Sequence, residues 1–453
     1  MKVIVVGCGK IGVSVIENLV LEGHDVVAID NNAEVLDHIN NVYDIMSICG
    51  NGADSDILSE AGSEDSNLFI AVTGSDELNM IACFLAKKMG AEHTVARIRN
   101  PEYNDSGLNF MRNQFELDMA LNPELLTAKE LRNILKLPSA TKVENFSKRN
   151  LEMIQIKLSS DTKLDGLTLI KMREKFKANY LINSVEREGE IFIPDGNFEL
   201  RHGDRLGITA SPDEIEKLLK LLGLMKREAK NVIIFGGSRI SFYLAKHLEQ
   251  SRGNVTILEK NPARAKQLSE ELRKTYIING NGINQDLLIE EGLLNSDAFV
   301  ALTGIDEENI LMSVFASMQK VPTVISKINR PELVSLAEKI GVECIVSPQK
   351  ITSDIIVRYA RALENSFGSN VETLYKLMDG RAEVLEFIAK DGSRTLNIPL
   401  KDMNLKRNIL ITGIMRNRQT VIPSGADHIE ADDRVIVIAS GQRLNDLDDI
   451  LKK

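Results

Sequence analysis

The sequence predicts an α/β protein built from two open parallel-sheet domains, each followed by a small α+β domain. Three observations carry this. Short β-branched apolar runs alternate with amphipathic stretches through the first 120 residues, the pattern of parallel strands buried on both faces by helices. A glycine-rich loop sits at the first strand-to-helix junction. The pattern is also written twice: KVIVVGCGKIG from Lys2 returns as NVIIFGGSRIS from Asn231, an offset of 229. Further on, Gly50 to Gly62 matches Gly280 to Gly292 and Ala71 to Asn79 matches Ala301 to Asn309, at an offset of 230. One inserted residue over that distance indicates duplication.

Each element of the first domain has its own signal. Val3 to Val6 is a fully apolar run ended by Gly7, and reads as a buried strand. Ile11, Val15, Ile16, Leu19 and Val20 then recur at helical spacing. Gly23 and His24 stop that helix, and a second strand closes at Asp30. Asn31 to Ile39 restarts a helix, Ile45 to Cys49 is a third strand, and Asn67 to Thr73 a fourth. Asp76 to Met89 is helical and His93 to Ile98 a fifth strand. A helix from Asn122 to Leu135 then leaves the sheet, with Pro123 in its first turn. Its counterpart runs from Pro348 to Leu363. Their apolar stripes fit either docking on their own domain or crossing to another subunit or domain.

The small domain opens with a strand near Glu152 to Leu158 and a helix near Thr168 to Lys175, and closes with a helix over Pro212 to Leu222. Its repeat matches IPDG at Ile193 to IPSG at Ile422, and Asp204 to Asp433. The expected boundaries are 1–120, a connecting helix 121–138, a small domain 139–225, then 229–347, a connecting helix 348–366 and a small domain 367–453.

Composition narrows the function. With 55 basic and 65 acidic side chains the formal charge is -10, which disfavours a broad nucleic-acid footprint. Cys8, Cys49, Cys83 and Cys344 form no CxxC pair, and a reducing compartment is the simpler setting. The opening apolar run of four residues is no secretory signal, and no stretch reaches the 18 apolar residues of a membrane span. Docking to a membrane protein stays open.

The strongest chemical signal is Gly7-Cys8-Gly9-Lys10-Ile11-Gly12 between strand and helix, with Asp30 lying 18 residues beyond the last glycine. In that context GxGxxG is a dinucleotide fingerprint of a Rossmann-like domain. Gly7 permits the tight turn, Gly9 lets the backbone approach a pyrophosphate, Gly12 lets helix and strand pack, and the helix N-terminus offers amides to phosphate. Asp30 accepts from ribose hydroxyls and repels a 2′-phosphate, so NAD or NADH is expected over NADP. ATP and ADP present the same adenosine and phosphates. No Walker A spacing is present. Thr73 and Gly74 end the fourth strand, where ligands lie in this fold, although Thr73 or Ser75 also serves to cap the next helix. Arg97 is a candidate phosphate ligand, with an ion pair to Asp76 or Glu77 as the alternative for it and for Arg99.

The second loop, Gly236-Gly237-Ser238-Arg239-Ile240-Ser241, keeps only the first glycine of the pattern. Glu259 replaces Asp30, Thr303 and Gly304 are retained, and Lys327 replaces Arg97. Weak binding, another nucleotide, or a purely structural role all fit this loop.

No catalytic apparatus accompanies the loops. None of His24, His38, His93, His202, His247 and His428 has a convincing partner, and no HExxH, GxSxG or Cys–His arrangement appears. No metal site is expected. A dehydrogenase needs a proton-transfer group beside the hydride. A duplicated nucleotide fold without one points to sensing rather than catalysis.

The loop, Asp30, GNGADSDILSEAG, AVTGSDELNMIACFLAKKMG and ARIRNPEY together resemble the TrkA family, the cytosolic subunits of Trk-type potassium uptake systems. That family carries tandem regulator-of-potassium-conductance (RCK, or KTN) domains, each followed by a small companion domain. The resemblance covers essentially the whole chain. It implies a peripheral regulator on the cytoplasmic face of the cell membrane that binds NAD or NADH and, in studied relatives, ATP or ADP. It further implies assembly as a homo-oligomer, a dimer or tetrameric ring, beneath a TrkH/TrkG-like potassium-translocating subunit. Two other classes stay open from the residues alone: an NAD-dependent oxidoreductase, and a nucleotide-responsive scaffold for a different partner.

Overall fold

The computed structural model describes residues 1–100, 103, 105–146, 151–158, 164–251, 253–366, 371–377, 382–417, 419–442 and 444–452. The first nucleotide-type module runs β1 (Lys2–Val6), α1 (Lys10–Leu21), β2 (Asp25–Asp30), α2 (Ala33–Val42), β3 (Met46–Cys49), α3 (Ser55–Glu60), β4 (Leu68–Ala71), α4 (Asp76–Met89), β5 (His93–Arg97), α5 (Asp105–Gln114), β6 (Met119–Leu121) and α6 (Pro123–Lys136). Its six strands lie in the order β3-β2-β1-β4-β5-β6, all parallel. Val3 to Val6 and Leu68 to Ala71 are buried on both faces, as a sheet covered on both sides requires.

Register sets the site. Val6 pairs with Ile29 on one side and Ala71 on the other, so β1, β2 and β4 end level. The order reverses between β1 and β4, and the crevice at that switch point is where this fold holds ligands. The sixth strand was not foreseen: Met119–Leu121 is three residues long at the sheet edge and has no periodicity to read.

The small module comprises β7 (Lys142–Phe146), β8 (Leu151–Lys157), α7 (Leu169–Lys175), β9 (Tyr180–Arg187), β10 (Glu190–Phe192), β11 (Arg205–Ala210) and α8 (Pro212–Leu222). The second nucleotide-type module repeats the first: β12 (Asn231–Phe235), α9 (Arg239–Gln250), β13 (Asn254–Glu259), α10 (Pro262–Glu271), β14 (Thr275–Asn279), α11 (Gln285–Glu290), β15 (Ala298–Ala301), α12 (Asp306–Met318), β16 (Thr323–Lys327), α13 (Pro331–Lys339), β17 (Cys344–Val346) and α14 (Pro348–Ser366). Its order, β14-β13-β12-β15-β16-β17, is that of the first. The second small module holds β18 (Val371–Leu377), β19 (Ala382–Ile388), β20 (Ile409–Arg416), β21 (Gln419–Val421) and β22 (Arg434–Ser440).

The chain resolves into two compact units that cut across its order. One joins residues 1–132 and 230–360, the two nucleotide-type modules. The Tyr243 hydroxyl on α9 accepts from Asn122 Nδ2 at 3.1 Å and donates to the Arg99 carbonyl at 3.2 Å. Ser353 Oγ on α14 donates to the Ser14 carbonyl on α1 at 3.0 Å. The connecting helices thus touch the opposite module.

The other unit joins residues 133–229 and 361–453. Each small module is an antiparallel five-stranded sheet in the same order, β10-β9-β11-β8-β7 and β21-β20-β22-β19-β18. Leu151 and Met153 of one form a common core with Ala382, Val384, Ile436 and Ile438 of the other. Asp204 is fully buried and takes both ends of the Arg187 guanidinium at 2.8 Å; Asp433 does the same with Arg416 at 3.0 and 2.8 Å. The sequence match of Asp204 to Asp433 is therefore a match of structural ion pairs.

Candidate functional site

The first glycine loop is built by its own backbone. Gly7 holds φ at +95°, and a Cβ there would meet the Thr73 amide nitrogen at 2.8 Å. A Cβ on Gly12 would collide with the Gly7 carbonyl oxygen, so this glycine sets the helix against the loop. Gly9 and Gly74 are different. Neither has a positive φ, and a Cβ on either would meet nothing within 4 Å. The chain itself does not require glycine at these two positions, which leaves the backbone there open to approach; Gly304 in the second module is open in the same way. Gly9 also caps α1 without any side-chain hydrogen bond, so the first amides of the helix have no side-chain acceptor.

Asp30 closes β2 beneath this loop. Its Oδ2 accepts from the Cys8 amide at 2.6 Å and its Oδ1 from the Asn32 amide at 2.9 Å. Each oxygen keeps a second lone pair for a hydroxyl. The Cys8 thiol is buried; burial and, secondarily, the Asp30 carboxylate push it up to about 12, so no thiolate forms in the loop.

Thr73 does not act as the free donor that its position suggests. Its hydroxyl donates to Asn79 Oδ1 at 2.7 Å, and the same oxygen takes the Thr73 amide at 2.8 Å. Asn79, fully buried, donates in turn to the Arg97 carbonyl at 2.9 Å. One side chain therefore ties the end of β4 to the end of β5. Ser75 caps α4 by accepting from the Leu78 amide. The ion-pair alternative holds for Arg99, which binds Asp76 at 3.1 Å. For Arg97 the partner is Glu124 in the first turn of α6, at 3.4 Å. Burial lowers the guanidinium's proton affinity more than Glu124 restores it. Arg97 Nε and Glu124 Oε2 are buried without hydrogen-bond partners.

These groups open onto a cavity of about 860 Å³ within the unit of nucleotide-type modules. Gly7, Gly9, Lys10, Ile11, Asp30, Thr73, Gly74 and Arg97 form one wall. Ser238, Arg239, Ile240 and Lys327 from the second module form the facing wall. The cavity thus holds four cations, Lys10, Arg97, Arg239 and Lys327, against two carboxylates, Asp30 and Glu124. Lys327 is 8% exposed; burial lowers its proton affinity, with Lys10 adding to the effect and Asp306 opposing it. Cys8 and Gly12 are not on the wall; they shape it. Gly236, Gly237, Glu259, Thr303 and Gly304 line a separate recess of about 310 Å³, which Ser238 also borders.

Sequence reasoning missed Asn51, Glu124, Asn329 and Gln349, which also line the cavity. Glu124 and Gln349 had a signal: each follows the proline that opens a repeated helix. The histidines lie apart from the cavity wall. His93 Nδ1, at the start of β5, is 3.5 Å from Asp118, and His428 Nε2 is 3.1 Å from Glu430, so these two have acidic neighbours after all. Among the described residues no cluster of His, Cys, Asp or Glu suits a metal ion, and no helix is long and apolar enough to cross a membrane.

The first loop fits an adenine dinucleotide on the chain's own terms. Two glycines face open space, a helix terminus is uncapped, an acid stands at the ribose position, and buried polar atoms on Arg97 and Glu124 lack partners. Fold and cavity together define a tandem Rossmann-fold protein in which the first glycine loop and the far half of the second, Ser238 to Ile240, line one cleft.

Comparison with known proteins agrees. The model of the TrkA-N domain matches residues 3–116 and 232–348, and that of the TrkA-C domain residues 153–223 and 384–452. The chain belongs to the TrkA family. The Trk system potassium uptake protein TrkA homolog of Archaeoglobus fulgidus is 31% identical over all of both chains. Trk system potassium uptake protein TrkA of Vibrio alginolyticus is 30% identical over 96% of this chain and 95% of its own. The GsuK channel bound to NAD shares the fold at a TM-score of 0.63, with 15% identity, over 97% of this chain and 77% of that one.

Proposed function

We propose that this protein is the nucleotide-sensing regulatory subunit of a Trk-type potassium uptake system. NAD or NADH occupies the first loop, ATP and ADP compete for it, and the bound state biases the gate of a potassium-translocating membrane subunit. The protein catalyses no reaction in this reading. It works as a homo-oligomer held at the cytoplasmic face of the membrane by that partner. The curated relatives are potassium uptake proteins, and the GsuK channel is described with NAD bound.

The observation that carries the proposal is the shared cavity. Gly9, Asp30 and Arg97 belong to one module and Arg239 and Lys327 to the other. A phosphate-bearing ligand seated at the first loop meets cations from both, so its affinity depends on how the modules are placed. By linkage, the ligand then shifts that placement by as much as its affinity differs between the alternatives. Ribose hydroxyls go to Asp30 and phosphates to the amides opening α1, with Lys10, Arg97 and Arg239 available as counter-charges. α6, whose first turn carries Glu124, and α14, whose first turn carries Gln349, are the transmitting elements.

The test is calorimetric titration of NADH, NAD, NADPH, ATP and ADP into the purified protein, paired with crosslinks between cysteines placed on α6 and α14. Saturable binding with NADPH much the weakest, and crosslinking yields that change on ligand addition, are expected. Absence of saturable binding by any of the five would sink the sensing role; binding with unchanged crosslinks would sink the assignment of these helices.

A further inference from the structure

We infer that the second glycine loop is closed to phosphate by its own hydroxyl groups, so that the chain takes one nucleotide, at the first loop. This rests on the nucleotide reading of the first loop and goes beyond it.

Three observations carry it. The first is the cap. α1 begins at Gly9 with no side-chain acceptor, whereas α9 begins at Ser238, whose Oγ accepts from the Ser241 amide at 3.3 Å. Ser241 Oγ lies 2.9 Å from Ser238 Oγ and donates to the Gly236 carbonyl at 2.5 Å. The hydroxyls thus satisfy the Ser241 amide and the Gly236 carbonyl internally, so one of the helix's first amides is already taken where α1 offers all of its own. The second is the far side of the loop. Arg264 Nε on α10 donates to the Gly237 carbonyl at 2.8 Å, a bond added to the acid–amide bond that both loops share, Glu259 to Gly237 here and Asp30 to Cys8 in the first. A Cβ on Gly237 would already touch Leu268 at 2.6 Å, so this stretch is packed rather than open.

The third is charge. The recess of the second loop is lined by Glu259 and Glu308 against the single cation Lys260, which is itself 3.6 Å from Glu308. The cations that correspond to Lys10 and Arg97, namely Arg239 and Lys327, line the first cavity instead. An anion offered the two sites meets an excess of positive charge at one and of negative charge at the other. The second loop has kept the fold of a nucleotide site and lent its cations to its neighbour.

The experiment is equilibrium dialysis of NADH, and separately ATP, against the full chain at known active concentration. One mole per mole of chain is expected. Gly9→Glu, which adds a carboxylate where a Cβ meets no atom of the chain, is expected to bind none while keeping its melting temperature. Ser238→Gly/Ser241→Gly, checked for folding by circular dichroism, is expected to show a second class of sites, with Ser238→Gly alone as the milder variant. Two moles in the wild type, or one mole retained by Gly9→Glu, overturns the inference while leaving nucleotide binding intact. A folded double variant that still binds one mole overturns the role of the hydroxyls. No binding in the wild type overturns the nucleotide reading and this inference with it.

Discussion

Arg97 and Glu124 face each other across the wall of the cavity, and the proposed nucleotide site turns on that pair. Each keeps one buried polar atom unsatisfied, which costs free energy unless something else completes it. In the proposed function a phosphate would complete Arg97 and be repelled by Glu124. Opposite effects therefore follow from changing either one. Arg97→Gln should weaken nucleotide affinity about tenfold or more, the worth of a charge-assisted hydrogen bond. Glu124→Gln, titrated in metal-free buffer, should strengthen it roughly fivefold, or about 1 kcal/mol. Calorimetry of both variants checks the pair, and effects of the same sign would refute the arrangement. The small modules offer a purely structural counterpart. Arg187→Ala leaves the Asp204 carboxylate fully buried without its cation, and should cost about 3 kcal/mol in urea denaturation.

At the scale of elements, the polar contacts seen between the nucleotide-type modules are each open to measurement. Tyr243→Phe removes the hydroxyl shared by Asn122 and the Arg99 carbonyl and should cost about 1 kcal/mol. His247 on α9 gives the same junction a pH dependence. Burial, and then Arg132 and Lys129 on α6, lower its proton affinity in the folded protein below the usual 6.5. The unfolded chain therefore binds the proton first, and stability contributed by neutral His247 is present above about pH 6.5 and lost as pH falls. His247→Gln should flatten the stability profile between about pH 5 and 7, measured by thermal melts across that range.

Elements were also where the sequence was most legible. The strands at Val3–Val6 and Asp25–Asp30, the helix at Asp76–Met89 and the closing helix Pro212–Leu222 stand where periodicity and capping put them. Met119–Leu121 escaped because three residues at a sheet edge carry no period. In the cavity wall, the placing of Gly7, Gly9, Asp30, Thr73 and Arg97 was legible because a local motif fixes them to strand ends. Their partners were not. That Arg97 pairs with Glu124 rather than Asp76, that the Thr73 hydroxyl is used by Asn79, and that Arg239 faces the first loop are all facts of tertiary approach.

The whole molecule is interleaved. Sequence order alternates large and small modules, while each compact unit draws on both halves of the chain. Any division at the repeat boundary therefore splits two cores at once. Residues 1–229 expressed alone should expose Leu151 and Met153, and should self-associate or precipitate; co-expressed with residues 230–453 they should co-purify as a one-to-one pair. Size-exclusion chromatography with light scattering distinguishes these outcomes, and a well-behaved monomer of 1–229 would argue against the shared core.

Joining the halves in one polypeptide has a genetic consequence. In a dimer of identical half-length chains, a codon change at the third loop position would reach both loops together, and a serine that silences one would silence the other. The fused gene escapes that constraint. Position 9 has glycine while position 238 has serine, so one loop is free to drift into a supporting role while the other stays as it was.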